Sequence, residues 1–294
     1  MTIRIRVRKP FRLLAPAKLN LGLEILGKRP DGYHEIVTIL QTIDFGDEIV
    51  LEPATRLDYR PPPEIEDDLI ARALRLLAGH GVEIRARIRL AKRIPLAAGL
   101  GGGSSDAGTL LGALVHAGFP YPLAHKIASD LGSDVPFFLE GGTALATDRG
   151  TELEPLSSPT GWFVIVVPPL SLRNKTRTLY RSLTPADYSD GTATRRQAEH
   201  LRQYHVLDPH LVRNAFLRPL LAFPQVRLAL DDMRAAGAQW AWPSGAGPAL
   251  FTWSPHRSQA EEIAALLRAR GWKPIVAEPY QPSWHEALAS LLLD

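Results

Sequence analysis

The chain has 294 residues, of which 45% are hydrophobic and 22% charged, a balance typical of a folded globular protein. A formal net charge of +3 is too small to predict nucleic-acid binding, and the lack of cysteine excludes disulfides, thiolate zinc sites and a cysteine nucleophile. The longest apolar stretch, residues 162–170, is far shorter than a membrane span, and nothing resembles a signal peptide. We therefore expect a cytoplasmic protein with neither a membrane nor a nucleic-acid partner, and the sequence leaves monomer and homodimer open.

The N-terminal residues predict several strands. Residues 3–8 alternate isoleucine or valine with arginine, which is the pattern of a half-buried strand. A nucleic-acid patch is the alternative, but no aromatic residues interleave with these arginines, so a solvated strand face is favoured. Residues 12–26 predict one or two strands interrupted by Pro16. Residues 35–53 predict two more strands, separated by a turn at residues 44–46.

Helices follow further along the chain. One is predicted over residues 69–81, with Asp67 or Asp68 as its N-cap. Two more are predicted over residues 105–117 and 122–131. A strand within residues 82–95 precedes them, because isoleucine, alanine and leucine alternate there with arginines.

The composition changes at residues 157–161, which predicts a boundary between two domains, residues 1–160 and residues 161–294. The first part is rich in strands, and the second contains a strand, several helices and a closing helix and strand. The sequence therefore predicts an α+β fold in two parts.

A glycine-rich stretch, IPLAAGLGGGSSDAG at residues 94–108, directly precedes a predicted helix. Glycine loses more conformational freedom on folding than other residues, so a cluster implies unusual backbone angles or close approach to a ligand. Consecutive backbone amides at a helix start can converge on an anion, and the hydroxyls of Ser104 and Ser105 can add donors or help to hold a nucleotide-bound Mg²⁺. We expect a phosphate loop here; a flexible surface loop is the alternative.

Three common phosphate loops do not fit this stretch. A Walker A loop needs a lysine after its last glycine, and a dinucleotide fingerprint needs a third glycine where Ser104 stands. The protein-kinase pattern needs an H-R-D motif, which the chain lacks, and its D-F-G triplet at residues 44–46 precedes the glycine loop.

What remains resembles the phosphate loop of the GHMP kinase superfamily, the group of galactokinase, homoserine kinase and mevalonate kinase. Residues 16–36, 132–142 and 243–251 are in turn similar to sequence blocks of the 4-diphosphocytidyl-2-C-methyl-D-erythritol kinase family of the non-mevalonate isoprenoid pathway. The blocks follow that family's order and spacing over almost the whole chain.

The resemblance implies a two-domain GHMP kinase fold, with a strand-rich N-terminal ATP-binding domain, an α/β C-terminal domain and the active site between them. It implies phosphorylation of the 2-hydroxyl of a small-molecule substrate carrying a cytidine diphosphate group. ATP, with Mg²⁺ carried by the nucleotide, would be the cofactor, and we assign no metal ligand. The residues expected to bind ATP are Pro95, Leu96, Ala97, Ala98, Gly99, Leu100, Gly101, Gly102, Gly103, Ser104 and Ser105.

Lys18 and Asp134 are the candidate catalytic residues. Asp134 precedes the apolar residues 135–138, which keep water scarce and suit a carboxylate that accepts a hydroxyl proton. Lys18 lies in an apolar strand, where an ammonium is costly unless it is paired. The alternatives are an aspartate capping a turn and a lysine that reaches solvent. The resemblance implies that the two residues pair.

Several residues are candidates for binding the substrate. Asn20 lies on the same strand face as Lys18 and can position the acceptor. Tyr33 offers a flat face for stacking on cytosine, and His34 can bind the polar edge of the ring or the diphosphate. The family places a second aromatic in the second domain, which Tyr180 matches. A second glycine turn lining the phosphate region is expected at Ser244, Gly245 and Gly247.

Two alternatives stay open. Another GHMP kinase, such as homoserine or mevalonate kinase, would share the loop but would not need the block at residues 30–35. A non-catalytic sensor on the same fold would be expected to lack Lys18 or Asp134, and both are present.

Overall fold

The computed structural model describes residues 3–170 and 175–293. In chain order the strands are β1 (Ile3–Val7), β2 (Phe11–Lys28), β3 (His34–Pro53), β4 (Asp58–Tyr59), β5 (Val82–Ala91), β6 (Thr143–Thr147), β7 (Glu152–Leu156), β8 (Trp162–Val166), β9 (Trp242–Pro243), β10 (Leu250–Ser254), β11 (Ile275–Ala277) and β12 (Leu291–Leu293). The α-helices are α1 (Leu69–Gly79), α2 (Gly102–His116), α3 (Tyr121–Leu131), α4 (Lys175–Arg181), α5 (Thr192–Tyr204), α6 (Leu217–Leu220), α7 (Pro224–Ala235), α8 (Arg257–Ala269) and α9 (His285–Ser290).

The first sheet has the order β12-β1-β5-β3-β6-β7, with β2 paired along β3 and β4 along β5. Helices α1, α2 and α3 pack on it, and their apolar faces share one core with the inward side chains of the strands. Leu13 and Ile49 enter this core from the sheet, and Leu74, Leu110 and Ile127 enter it from the helices. The side chain of Asp68 accepts a hydrogen bond from the amide of Ala71, which confirms the predicted N-cap of α1.

The two longest strands continue where the sequence predicts breaks. β2 runs through Pro16 and β3 runs through residues 44–46, so the predicted interruption and turn were wrong. Pro16 pairs with Gly46, and the register shifts between Pro16 and Lys18. A Cβ atom on Gly46 would lie only 2.2 Å from the backbone oxygen of Ala15. Because Gly46 has no side chain, the two strands can pass this closely. The register shift at this point bends the strand pair and does not end it.

The second sheet has the order β11-β8-β10-β9 and is covered on both faces. Along β8, Phe163 and Ile165 point to one core and Val164 and Val166 to another, as the alternation of a strand requires. The first of these cores contains residues of α5 and β2, and the second contains residues of α7 and α8. The strand β2 therefore packs against both parts of the molecule.

The two parts are also joined at the end of the chain. β12 pairs antiparallel with β1 in the first sheet, and Trp284 stacks on His116 at a ring-centroid distance of 4.9 Å. Residues after about 284 therefore pack with the first half of the chain, and the boundary at residue 160 stays a prediction. No helix in the described residues is both long and apolar enough to cross a membrane.

Candidate active site

A cleft of about 730 Å³ lies between the two halves of the molecule. Strands β2 and β3, the glycine-rich loop and the segment before Pro136 line it from one side, and α4 and the second glycine turn line it from the other. The cleft brings together nine of the twenty sequence-predicted site residues, including both catalytic candidates. Those that line it are Lys18, Asn20, Ala97, Gly99, Gly101, Ser104, Asp134, Tyr180 and Gly245.

The glycine loop bends through left-handed backbone conformations directly before α2. Gly99 has a φ of 88° and Gly101 a φ of 75°, which side chains other than glycine rarely adopt. A Cβ atom on Gly99 would lie 2.4 Å from the backbone oxygen of Ser244, and one on Gly101 would lie 2.9 Å from Cγ of Lys18. Glycine is thus required both by the turn and by the close packing.

Helix α2 begins at Gly102, three residues before its predicted start, so two glycines of the loop form its first turn. Gly101 occupies the N-cap position, and no side chain of the described residues caps it. The first amides of a helix lack intrahelical partners and carry the positive end of the helix dipole. This helix start can therefore bind an anion in the cleft.

The loop residues do not all face the cleft. Ser104 lines it, whereas Ser105 is fully buried and its hydroxyl has no hydrogen-bond partner among the described residues. Leu96 is 57% exposed, and Pro95 lines a different pocket. Residues that line the cleft alternate with buried residues along the loop: Ala97, Gly99 and Gly101 line it. Ala98 and Leu100 are buried, and their carbonyl oxygens accept hydrogen bonds from the amides of Ala249 and Lys18.

Lys18 and Asp134 meet in the cleft. Nζ of Lys18 lies 3.5 Å from Oδ2 of Asp134, and the two side chains are 6% and 37% exposed. The same ammonium donates a hydrogen bond of 2.5 Å to Oδ1 of Asn20. The lysine is thus buried and partnered, while the carboxylate stays open to a molecule in the cleft.

A short hydrogen-bond chain orients Asn20. Its amide nitrogen donates to the Thr38 hydroxyl over 2.8 Å, and that hydroxyl donates to the carbonyl oxygen of Gly22 over 2.6 Å. Because a carbonyl can only accept, the Thr38 oxygen must accept from the NH₂ group of Asn20. This leaves the amide oxygen of Asn20 facing Lys18.

Lys175, at the start of α4, is a further cation of the cleft. Its side chain is buried, and Nζ donates a hydrogen bond of 2.6 Å to the carbonyl oxygen of Ala97 in the glycine loop. Burial, followed by the positive charge of Lys18, lowers the pKa of Lys175 to about 8. Nothing in the polar sequence around Lys175 indicates that it is buried, so the sequence does not predict its place in the cleft.

Aromatic side chains form one end of the cleft. Tyr180 lines it, with its ring centroid 5.0 Å from that of His34 and 4.8 Å from that of Phe216. Burial, followed by the charge of Asp134, raises the pKa of Tyr180 to about 12. Burial also lowers the pKa of His34, and the charge of Lys28 adds to that effect, so the imidazole is neutral at pH 7.

Tyr33 lies outside the lining of this cleft. Its ring is 60% exposed, and the guanidinium of Arg149 sits over it at 5.0 Å from the centroid. Arg149 itself lines the cleft, so Tyr33 contacts a lining residue without lining the cleft. The structure therefore brings His34 and Tyr180 together but does not bring Tyr33 to them.

The second glycine turn packs against the first. The Ser244 hydroxyl donates to the carbonyl of Gly99 over 3.0 Å, and a Cβ atom on Gly245 would lie 3.4 Å from Nζ of Lys18. The buried amide of Asn214 donates to the carbonyl of Gly245 over 3.0 Å and so fixes this turn. Gly247 has a φ of 58° and packs on Leu220, away from the cleft lining.

A buried ion cluster anchors the start of the glycine loop. Nζ of Lys92 contacts carboxylate oxygens of both Asp47 and Asp106, the latter at 2.6 Å. Asp47 also accepts hydrogen bonds from the amides of Arg93 and Ile94. Burial raises the pKa of Asp106 to about 8. The sequence does not predict this cluster, because its members come from β3, the segment before the glycine loop and α2.

The predicted arginine-rich strand faces lie on the surface. Arg4 and Arg85 both contact Glu83, and Arg87 contacts Asp58. These arginines do not line the cleft.

Comparison with known proteins agrees with this architecture. Residues 68–142 match the GHMP kinases N terminal domain, and residues 199–271 match the GHMP kinases C terminal domain. The 4-diphosphocytidyl-2-C-methyl-D-erythritol kinase of Gloeobacter violaceus is 37% identical over 274 residues, which cover 88% of this chain and 90% of the relative.

Solved structures share the fold. A crystal structure of 4-(cytidine 5'-diphospho)-2C-methyl-D-erythritol kinase is 34% identical and superposes with a TM-score of 0.76, covering 93% of this chain and all of that one. L. major mevalonate kinase, in a complex with R-mevalonate, has a TM-score of 0.67 at 16% identity and covers 95% of this chain and 98% of its own. This second likeness concerns the fold alone.

Proposed function

Because the chain belongs to the 4-diphosphocytidyl-2-C-methyl-D-erythritol kinase family of GHMP kinases, it is a small-molecule kinase, and we propose that it transfers the γ-phosphate of ATP to the 2-hydroxyl of 4-diphosphocytidyl-2-C-methyl-D-erythritol. The observation that carries the residue assignment is the approach of Lys18 and Asp134 to 3.5 Å beside the glycine loop. Such a kinase needs a cradle for phosphates, a positive charge and an acceptor for the hydroxyl proton, and this cleft offers all three.

In this proposal Asp134 accepts the proton of the substrate hydroxyl. Its carboxylate is 37% exposed to the cleft, so a hydroxyl group can reach it, whereas Lys18 is only 6% exposed. The ammonium of Lys18 stabilises the alkoxide that develops as the proton leaves. Asn20 accepts a hydrogen bond from Lys18 and thereby holds the ammonium toward the reacting hydroxyl.

The donor phosphates would bind at the start of α2. The first-turn amides and the helix dipole favour negative charge there, and the Ser104 hydroxyl adds a donor. Mg²⁺ would arrive with the nucleotide and neutralise phosphate charge. The hydroxyl oxygen of Ser104 lines the cleft and is a ligand of the kind that this ion prefers.

The cytosine would bind at the aromatic end of the cleft. Tyr180 lines that end beside His34, whose neutral ring can both donate and accept a hydrogen bond. Tyr33 stays a candidate for stacking on the base, and reaching it requires the substrate to extend past Arg149.

The function is tested by supplying the chain with ATP, Mg²⁺ and one acceptor at a time, then measuring ADP release and product mass. We expect phosphorylation of 4-diphosphocytidyl-2-C-methyl-D-erythritol and no product from homoserine or mevalonate. Turnover of homoserine or mevalonate alone would overturn the substrate assignment. ATP binding without ADP release for any acceptor would favour a sensor over an enzyme.

A further inference from the structure

Lys175 is a buried cation that no carboxylate of the described residues pairs with. It is 7% exposed, and among the described residues its ammonium donates one hydrogen bond, of 2.6 Å, to the carbonyl of Ala97. An ammonium uses only one of its three protons in such a bond. A buried charge without a counterion is destabilising, so an ammonium at this position calls for a compensating anion.

The charges around Lys175 point to the same requirement. The charged side chains that line the cleft with it are Lys18, Arg149, Arg177 and Asp134. Asp134 is the single carboxylate among them and already contacts Lys18. The described lining of the cleft therefore carries a surplus of positive charge beside a helix start, an arrangement suited to a polyanion.

We propose that Lys175 binds the phosphates of the nucleotide, as a second cation brought to the glycine loop from the opposite half of the molecule. The inference rests on the proposed function, because the anion is the phosphate chain of ATP. Lys175 already contacts the loop at Ala97, and its other two protons, which no described residue accepts, are available to a phosphate in the same cleft. It would act on donor binding, whereas Asp134 acts on the acceptor hydroxyl.

A purely structural role is the alternative that the test must separate. Ala97 has a φ of 52°, an uncommon conformation for a residue other than glycine, and the Lys175 bond could serve only to hold it. Lys175→Gln keeps a neutral donor for the Ala97 carbonyl but removes the charge. Lys175→Arg keeps the charge, and Lys175→Met removes both.

We expect the Gln and Met variants to raise KM for ATP, and the Kd for Mg-ATP measured by calorimetry, by about tenfold or more, because a charge-assisted hydrogen bond is lost. The Arg variant should stay within about threefold of the wild type in the same assays. Lys126→Met is the matched control, since Lys126 pairs with Asp130 on the surface. A Gln variant that binds and uses ATP like the wild type would show that Lys175 only holds the loop.

The pH profile supplies a second readout. Lys175 is charged below its pKa of about 8 and neutral above it, so kcat/KM for ATP in the wild type should fall as pH rises through that value. The Arg variant should keep its plateau to higher pH. If the Lys175→Gln variant showed the same fall in kcat/KM between pH 7 and pH 9 as the wild type, another group would be responsible and the inference would be overturned. A chain that binds ATP through Lys175 yet phosphorylates no acceptor would instead defeat the proposed function.

Discussion

At the scale of single residues, the open side of Asp134 faces the cleft while its partner Lys18 is buried behind it. Asp134→Asn keeps the shape of the side chain but cannot accept a proton. We expect kcat to fall by about 10²–10⁴, the range for loss of a general base, while KM for ATP changes little. Steady-state kinetics with each substrate varied in turn provides the measurement.

Asp130→Asn is the matched control for that variant. Asp130 lies four residues before Asp134, on the exposed end of α3, and pairs with Lys126 in an i,i+4 surface contact. Its loss should leave kcat unchanged, because such pairs contribute little. If Asp134→Asn retained near-normal kcat, Asp134 would have no part in proton transfer.

The chain of hydrogen bonds behind Lys18 gives a second prediction. Thr38→Val leaves the amide nitrogen of Asn20 buried without its partner, at a cost of about 1–3 kcal/mol in the free energy of unfolding. The Asn20 amide then loses its fixed orientation toward Lys18, so kcat should also fall. Thr38→Ser restores the hydroxyl and should recover both quantities. Urea unfolding and kinetics on the two variants check this, and equal behaviour of Val and Ser would contradict it.

The sequence predicted Lys18 and Asp134 from their apolar surroundings and from a resemblance to known motifs, and the structure brings the two together. It did not predict Lys175 or Thr38, because neither stands in a local pattern that sets it apart. Their positions depend on which strand or helix packs on which, and that information lies in contacts between distant parts of the chain.

At the scale of elements, Gly46 is a position where the backbones of β3 and β2 pass close together. A Cβ atom there would lie 2.2 Å from the backbone oxygen of Ala15, and backbone cannot move aside as a side chain can. We expect Gly46→Ala to lower the free energy of unfolding by about 3 kcal/mol, near the upper end of the usual cost of overpacking. Urea or thermal unfolding measures this loss.

Gly27→Ala is the matched control on the neighbouring strand. Nothing lies within 4 Å of the Cβ atom that would be added at Gly27, and its φ is not in the left-handed region. Its effect should stay within about 0.5 kcal/mol. If both variants lost the same stability, the cost at Gly46 would come from the backbone of glycine and not from the close passage of the strands.

The errors in the predicted elements have the same origin. Pro16 and the triplet at residues 44–46 carry local turn signals, and local rules predicted breaks there. Pro16 and Gly46 instead face each other across the β2–β3 ladder. The missing N–H of proline and the missing side chain of glycine are both tolerated at this irregular position, so the strands continue. Helices were predicted more closely, since α1 and α3 lie within two residues of their predicted bounds.

At the scale of the whole molecule, the predicted α+β GHMP kinase fold is confirmed by the family matches and by the solved kinase structure. The apolar core that contains Leu19 and Leu21 of β2 also contains Phe163 and Phe251 of the second sheet. A shared core holds the two halves in one arrangement, and the cleft lined by both depends on it. A change that loosens this shared core should therefore also disturb the geometry of the cleft.

The buried Lys92 cluster makes the stability of the whole molecule depend on pH. Burial raises the pKa of Asp106 to about 8, and the charge of Asp47 adds to that effect while the charge of Lys92 opposes it. A raised folded-state pKa gives stability that is complete below the ordinary value near 4 and is lost as pH rises toward 8.

Asp106→Asn removes this titration. Relative to the wild type, the variant should therefore gain roughly 3 kcal/mol in the free energy of unfolding between pH 5 and pH 7. Urea unfolding of both proteins at pH 5, 7 and 9 measures the gain, and above pH 8 the difference should level off. Asp231→Asn, in a surface pair with Arg234, should show no such trend. A constant difference between Asp106→Asn and the wild type at all three pH values would mean that Asp106 is ionised throughout.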